Sequence, residues 1–111
     1  MRTTAPILLL PALILGCAKH SATYEQATAT GTAEQSKTLY DEGVSLWEQR
    51  NEDAKLTASL EKFEAAHNAD PTNRDAAIML TRGWYWYGDV KVSDDDAKLA
   101  AWDTAVKWGG H

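Results

Sequence analysis

The chain of 111 residues has few of the residue types that build disulfide scaffolds, metal sites and membrane spans. It has 1 cysteine, so a disulfide within the chain is impossible. Its 3 histidines are scattered and lack the spacing of zinc ligands. Its main apolar run, Ala5 to Leu15, contains Pro6 and Pro11 and is shorter than the roughly 20 residues that a membrane helix needs. We therefore expect no metal site, no internal disulfide and no transmembrane helix.

Positive charge is also scarce. The chain has 16 Asp and Glu against 11 Lys and Arg, which gives a net charge of −5 with neutral histidines. Nucleic acids and anionic lipids bind to basic patches, so neither is an expected partner. A glycine-rich phosphate loop and a nucleophile motif are missing from the sequence, and no pair of carboxylates stands out as catalytic. We therefore expect neither enzymatic activity nor a cofactor.

The N-terminal segment has the features of an export signal. A charged start, the apolar run and Gly16 before Cys17 are typical of a secretory signal peptide. The segment Leu13 to Cys17 resembles the lipobox of bacterial lipoproteins. The resemblance implies that residues 1–16 are removed and that Cys17 carries three acyl chains, which is enough for stable membrane attachment. Ala18, in place of the Asp that retains lipoproteins at the inner membrane, implies the outer membrane, with the protein facing the periplasm.

The rest of the chain divides into two parts by composition. From Cys17 to Gln35 the sequence is rich in Ala, Thr, Gln and Gly and has no apolar periodicity, and we interpret residues 17–35 as the lipidated cysteine and a flexible tether. Residues 36–111 are rich in Ala, Leu and Trp at helical spacing, and we interpret them as one helical domain.

Apolar spacing, capping residues and helix breakers predict four helices in this domain. Ser36 and Ser93 are the expected N-caps of the first and fourth helices, and Pro71 ends the second. Gly88 is expected to break the third helix, and Val90 to Val92 is a candidate for a short extended segment. The predicted helices cover about residues 37–50, 54–69, 74–87 and 94–108.

Two of these helices share a pattern. Phe63 lies three positions before Ala66, as Trp102 lies before Ala105, and the two segments are about 39 residues apart, within the range of helical-pair repeats. With Gly43 at the small-residue position of the first helix, the chain resembles a tetratricopeptide repeat. The resemblance implies an all-α fold in which antiparallel helix pairs stack as a short solenoid of about four helices. The expected core residues are Phe63, Ala66, Leu80, Trp102 and Ala105.

A lipoprotein with such repeats looks like the TRAP-transporter-associated tetratricopeptide lipoproteins, the T-component family. The matching segments are Tyr40 to Gly43, Phe63 to Pro71 and Trp84 to Tyr87. The resemblance implies a membrane-tethered periplasmic adaptor that engages the solute-binding subunit of a TRAP transporter. Members of that family are longer and have further helix pairs, so we expect this chain to be a short or truncated member.

The aromatic cluster in the third helix has two interpretations. It could contact a partner or ligand, or it could be buried between neighbouring helices, because aromatic side chains dominate protein cores. Two functions also remain as alternatives. The protein could be the adaptor, or it could be a structural or assembly lipoprotein of the cell envelope, similar to pilotins and without a small-molecule ligand. The residues that we assign to partner contact are Trp84, Tyr85 and Trp86.

The fourth predicted helix carries apolar residues that no further predicted helix covers. They include Trp102, Val106 and Trp108. Uncovered apolar surface usually marks association. We therefore expect the domain to self-associate or to need a partner for full stability.

Overall fold

The structure, a computed structural model, describes residues 28–110. Cys17, the signal segment and the first part of the tether lie outside the described residues. Four helices and a single π-helical turn follow one another, and residues 28–110 contain no strand, which confirms the predicted all-α fold. None of the described helices combines the length and hydropathy needed to cross a membrane. The elements are α1 (Ala33–Trp47), α2 (Asp53–Ala69), α3 (Arg74–Trp86), the π-helical turn (Tyr87–Lys91) and α4 (Asp95–Gly109).

The helices form two antiparallel pairs. In the first pair, Ser36 of α1 forms a hydrogen bond with Ala66 of α2, and Gly43 of α1 lies against Phe63 of α2, so the two helices run in opposite directions. In the second pair, Gly109 at the end of α4 lies near Thr81 of α3, while Gly88, just after α3, lies against Ala101 and Trp102 of α4, so these helices also run in opposite directions. The pairs are joined through α3, which packs against α2. The expected stack of helix pairs is therefore the observed architecture.

The first helix begins earlier than predicted because a different residue caps it. Thr32 Oγ1 accepts a hydrogen bond from Gln35 N at 3.1 Å, and Gln35 Oε1 accepts one from Thr32 N at 2.9 Å. This reciprocal capping box satisfies free N–H groups at the start of α1. The helix therefore includes Ala33 to Gln35, which the sequence had suggested to be tether. Ser36 is not a cap but a buried residue within the helix.

The N-cap of the fourth helix also differs from the prediction, in this case by one position. Asp94 Oδ2, and not the Ser93 side chain, accepts the hydrogen bond from Ala97 N at 2.9 Å. A carboxylate at this position also interacts favourably with the helix dipole. The third helix has an Asn73 cap, whose Oδ1 accepts from Ala76 N at 3.1 Å.

The predicted break after α3 is a π-helical turn and not an extended segment. A Cβ added at Gly88 would lie 2.8 Å from Trp102 Nε1, so only glycine allows this close approach of the indole. Lys98 Nζ donates to the carbonyl oxygens of Gly88 at 2.9 Å and Asp89 at 3.4 Å. These contacts from α4 hold the turn in place and supply partners for backbone groups that the α-helix no longer pairs.

The core lies where α1, α2 and α3 meet. Its buried large side chains are Leu56, Leu60, Phe63, Met79 and Leu80. Of the residues expected in the core, Phe63, Ala66, Leu80 and Ala105 are fully buried. Trp102 is only half-buried, because one edge of its indole packs on Gly88 while its side of α4 borders solvent.

A buried hydroxyl links three helices and provides a first test of the packing. Ser36 Oγ donates to Ala66 O at 2.6 Å and accepts from Asn73 Nδ2 at 2.8 Å. We expect Ser36→Ala to lower the free energy of unfolding by about 1–2 kcal/mol, because buried polar groups lose their partner. Ser45→Ala, at an exposed position of the same helix, is the matched control. Equal urea midpoints for the two variants would contradict this role.

Candidate functional site

The aromatic cluster of α3 points in several directions, because successive helical residues are about 100° apart. Trp84 and Tyr87 form an edge-to-face pair with ring centroids 5.5 Å apart, and both pack on the core. Trp86 lies on another side, edge-on to Trp47 of α1 at 5.9 Å. Tyr85, with 42% of its surface exposed, is the most accessible of the three, whereas Trp84 and Trp86 are half-buried. Of the three residues predicted for partner contact, the structure thus exposes one.

Trp86 belongs to an internal cluster of cations and rings. The Arg50 guanidinium lies 4.5 Å from the Trp47 ring centre and 5.2 Å from that of Trp86. Lys91 Nζ lies 5.9 Å from the Trp86 ring and forms an ion pair with Asp53 at 2.7 Å. The cation–π contacts of Arg50 tie the α1–α2 connection to α3, and the Lys91–Asp53 ion pair joins the π-helical turn to the start of α2. The position of Trp86 is therefore accounted for by its contacts with Arg50, Trp47 and Lys91.

An open groove runs along α3 beside the end of α4. Ile78 and Tyr85 lie about two helical turns apart on one face of α3, and they are 51% and 42% exposed. The groove has a volume of about 460 Å³. A smaller cavity of about 90 Å³ adjoins it at Ile78, Thr81 and Gly109. We call this surface the α3–α4 groove; its lining residues are Arg74, Ala77, Ile78, Thr81, Arg82, Tyr85, Trp108 and Gly109.

Ile78 is the groove residue that sequence reasoning missed. The predicted stripe of α3 followed the spacing of Ala76, Leu80 and Tyr87, and Ile78 falls outside it. A signal was present, because Ile78 and Tyr85 are apolar residues seven positions apart on the face that should be polar. Large apolar residues that share such a face make it a candidate contact surface.

The two sides of α3 differ in charge. The α3–α4 groove is lined by two arginines and by no carboxylate. The groove between α1 and α3 has a volume of about 340 Å³ and contains Asp41, Asp70 and Asp75. Burial, and secondarily the charge of Asp75, raise the pKa of Tyr40 in this second groove, and the positive charge of Arg82 opposes the shift. Asp41 is already paired with Lys37 at 2.9 Å, so the acidic side is partly neutralised from within.

Two further surfaces remain open. A groove of about 620 Å³ lies between α1 and α2, and none of its lining residues is charged. On α4, Leu99 and Val106 are 55% and 61% exposed on one side of the helix. Trp108, by contrast, is half-buried and meets the His67 ring edge-on at 5.2 Å. The apolar surface expected on the fourth helix is thus carried mainly by Leu99 and Val106.

The described residues contain no group of three or more His, Cys, Asp or Glu side chains that could hold a metal ion. Comparisons with protein-family models, curated proteins and solved structures give no significant match to this chain. What the α3–α4 groove offers chemically is apolar contact area and two guanidinium groups.

Proposed function

We propose that this protein is a lipid-anchored adaptor of the cell envelope that binds another protein through its third helix. The observation that carries the proposal is the exposure of Ile78 and Tyr85 in an open groove. Exposed apolar side chains that line one groove are a candidate interaction site, and tyrosine is enriched among the residues that dominate binding energy. The helical-pair architecture supports it, since such repeats use extended surfaces to hold partners.

The partner that we propose is the periplasmic solute-binding subunit of a TRAP transporter. This choice rests on the sequence resemblance of the segments around Tyr40, Phe63 and Trp84 to the T-component lipoproteins. The anchor rests on the sequence around Cys17, and the location at the outer membrane rests on Ala18. The function is binding, without catalysis and without a cofactor.

Photocrosslinking in cells tests the adaptor function. A photoreactive phenylalanine analogue replaces Tyr85 in the full-length protein, and the same analogue at Glu64, exposed on α2, is the control. We expect an adduct with the solute-binding subunit from position 85 and none from position 64. Absence of any protein adduct at position 85, or equal adducts at both positions, would refute the adaptor. An adduct with a secretin or another outer-membrane channel would favour the assembly lipoprotein instead.

The anchor has its own test. We expect Cys17→Ser to abolish lipid attachment, because the thiol is the acceptor of the diacylglycerol, and to prevent the mass shift from processing and acylation. The measurements are cell fractionation and intact mass, and Ser21→Ala, outside the lipobox, is the control. A variant of normal mature mass that stays in the membrane pellet would show that the anchor lies elsewhere.

A further inference from the structure

We propose that the α3–α4 groove binds an amphipathic helix of a partner protein whose apolar face is flanked by carboxylates. This inference rests on the proposed adaptor function and specifies the chemistry of its partner. Three properties of the groove carry it: its shape, the spacing of its apolar side chains and the sign of its charge.

The shape of the groove fits a helix. The first helix pair already accommodates a third helix, since α3 packs on α1 and α2. There, Gly83 of α3 approaches so closely that an added Cβ would lie 2.5 Å from Leu60 and 3.5 Å from Trp47. The α3–α4 groove is open along α3 and is bordered by Gly109 at the end of α4, and no helix among residues 28–110 covers it. A helix from a partner would cover it in the same way.

The apolar side chains set the spacing of the partner's contacts. Ile78 and Tyr85 are separated along α3 by about 10 Å, which is two turns of helix. A helix lying beside α3 presents residues i, i+3 or i+4, and i+7 on one face at the same spacing. The floor between them is formed by the small side chain of Thr81 and by Gly109, which leave room for a bulky apolar residue.

The arginines select an acidic partner. Arg74 and Arg82 lie about 12 Å apart along α3, and neither forms an ion pair with any described carboxylate. Arg82 makes a weak contact from Nη1 to Met79 Sδ at 3.7 Å, and its charge also acts on Tyr40 in the acidic groove. Lys37 and Lys62, by contrast, are already paired with Asp41 and Glu42. Complementary charge steers association and selects among partners, so two carboxylates about two turns apart are the expected match.

Binding of designed peptides to the full-length lipoprotein tests this inference. The protein is reconstituted in phosphatidylcholine nanodiscs, and the signal from empty nanodiscs is subtracted. The probe is an amphipathic helical peptide with leucines at i, i+3 and i+7 and two glutamates eight positions apart. A second peptide has glutamine in place of both glutamates. We expect the acidic peptide to bind about tenfold more tightly, and the difference to shrink in 1 M salt.

Paired variants locate the site. Arg74→Gln with Arg82→Gln should make the two peptides bind equally, whereas Lys37→Gln with Lys62→Gln, which changes the net charge by the same amount, should leave the preference intact. Ile78→Ser should weaken both peptides. All five positions are at least partly exposed, so the variants are expected to fold.

Each contrary outcome has a defined meaning. Equal binding of both peptides by the unaltered protein, or no binding of either, would overturn the acidic partner. Binding that persists in Ile78→Ser would place it outside the groove. The adaptor function stands or falls separately, on the crosslink from position 85. A crosslink there between two copies of this chain would identify a second copy as the occupant and overturn the inference.

Discussion

Replacement of Phe63 by alanine is expected to lower the free energy of unfolding by about 3–5 kcal/mol. The Phe63 side chain is completely buried at the centre of the α1–α2–α3 core. Its ring packs 5.6 Å from that of Tyr40 and directly against Gly43. Truncation therefore removes buried apolar area and leaves a cavity that the neighbouring helices can fill only in part. For a small domain this is a large share of the total stability.

Chemical unfolding followed by tryptophan fluorescence measures this loss. Ile78→Ala removes an apolar side chain of similar chemistry from an exposed position, and we expect it to change stability by less than about 0.5 kcal/mol. If the two variants unfolded at the same denaturant concentration, Phe63 would not hold the core together.

The second large effect is expected at Gly43. A Cβ added there would lie 2.6 Å from Phe63 Cε1 and 2.7 Å from Cδ1, so α1 and α2 would have to move apart. Overpacking of a core usually costs about 1–3 kcal/mol, which exceeds the roughly 0.5–1 kcal/mol that alanine gains over glycine in a helix. We therefore expect Gly43→Ala to be clearly destabilising.

Gly109→Ala is the matched control for this prediction. It makes the same chemical change at the end of α4, where the nearest atom to the added Cβ, Thr81 Oγ1, is 3.6 Å away, an ordinary contact. Here the helix-forming tendency of alanine should dominate and raise stability slightly. Opposite signs for the two variants, measured as shifts in melting temperature, are the expected result. A stabilising Gly43→Ala would mean that α1 and α2 are not held in close contact at this point.

Capping shows where local sequence signals were ambiguous. Thr32 and Ser36 are both good N-cap residues, and only Thr32 has the Gln35 that completes a capping box. The composition around it suggested tether, so the prediction chose Ser36. In the fold, Ser36 is turned toward α2 and α3, where its hydroxyl bonds to Ala66 and Asn73. That use of the hydroxyl depends on helices that are distant in the sequence.

The candidate site shows the same limit. The aromatic cluster was visible in the sequence, but which of its side chains pack inside the fold and which one is exposed was not. Trp86 is held by Arg50 from the α1–α2 connection, and Tyr85 is exposed beside Ile78. Which of two neighbouring aromatics faces solvent depends on where the other helices pack, and a single helix pattern does not contain that information.

The amino-acid sequence by itself determined the all-α class, the four helices of residues 28–110 and the position of the main core residue, Phe63. These follow from local chemistry: apolar residues repeat at helical spacing, Pro71 stops a helix, and polar residues cap the ends. Only the tertiary structure decided the π-helical turn at Gly88, the inward use of Ser36 and the open groove along α3. Each of these depends on a partner from a remote part of the chain, or on the absence of a covering helix among the described residues. Such contacts are set by packing geometry between elements, which local spacing does not specify.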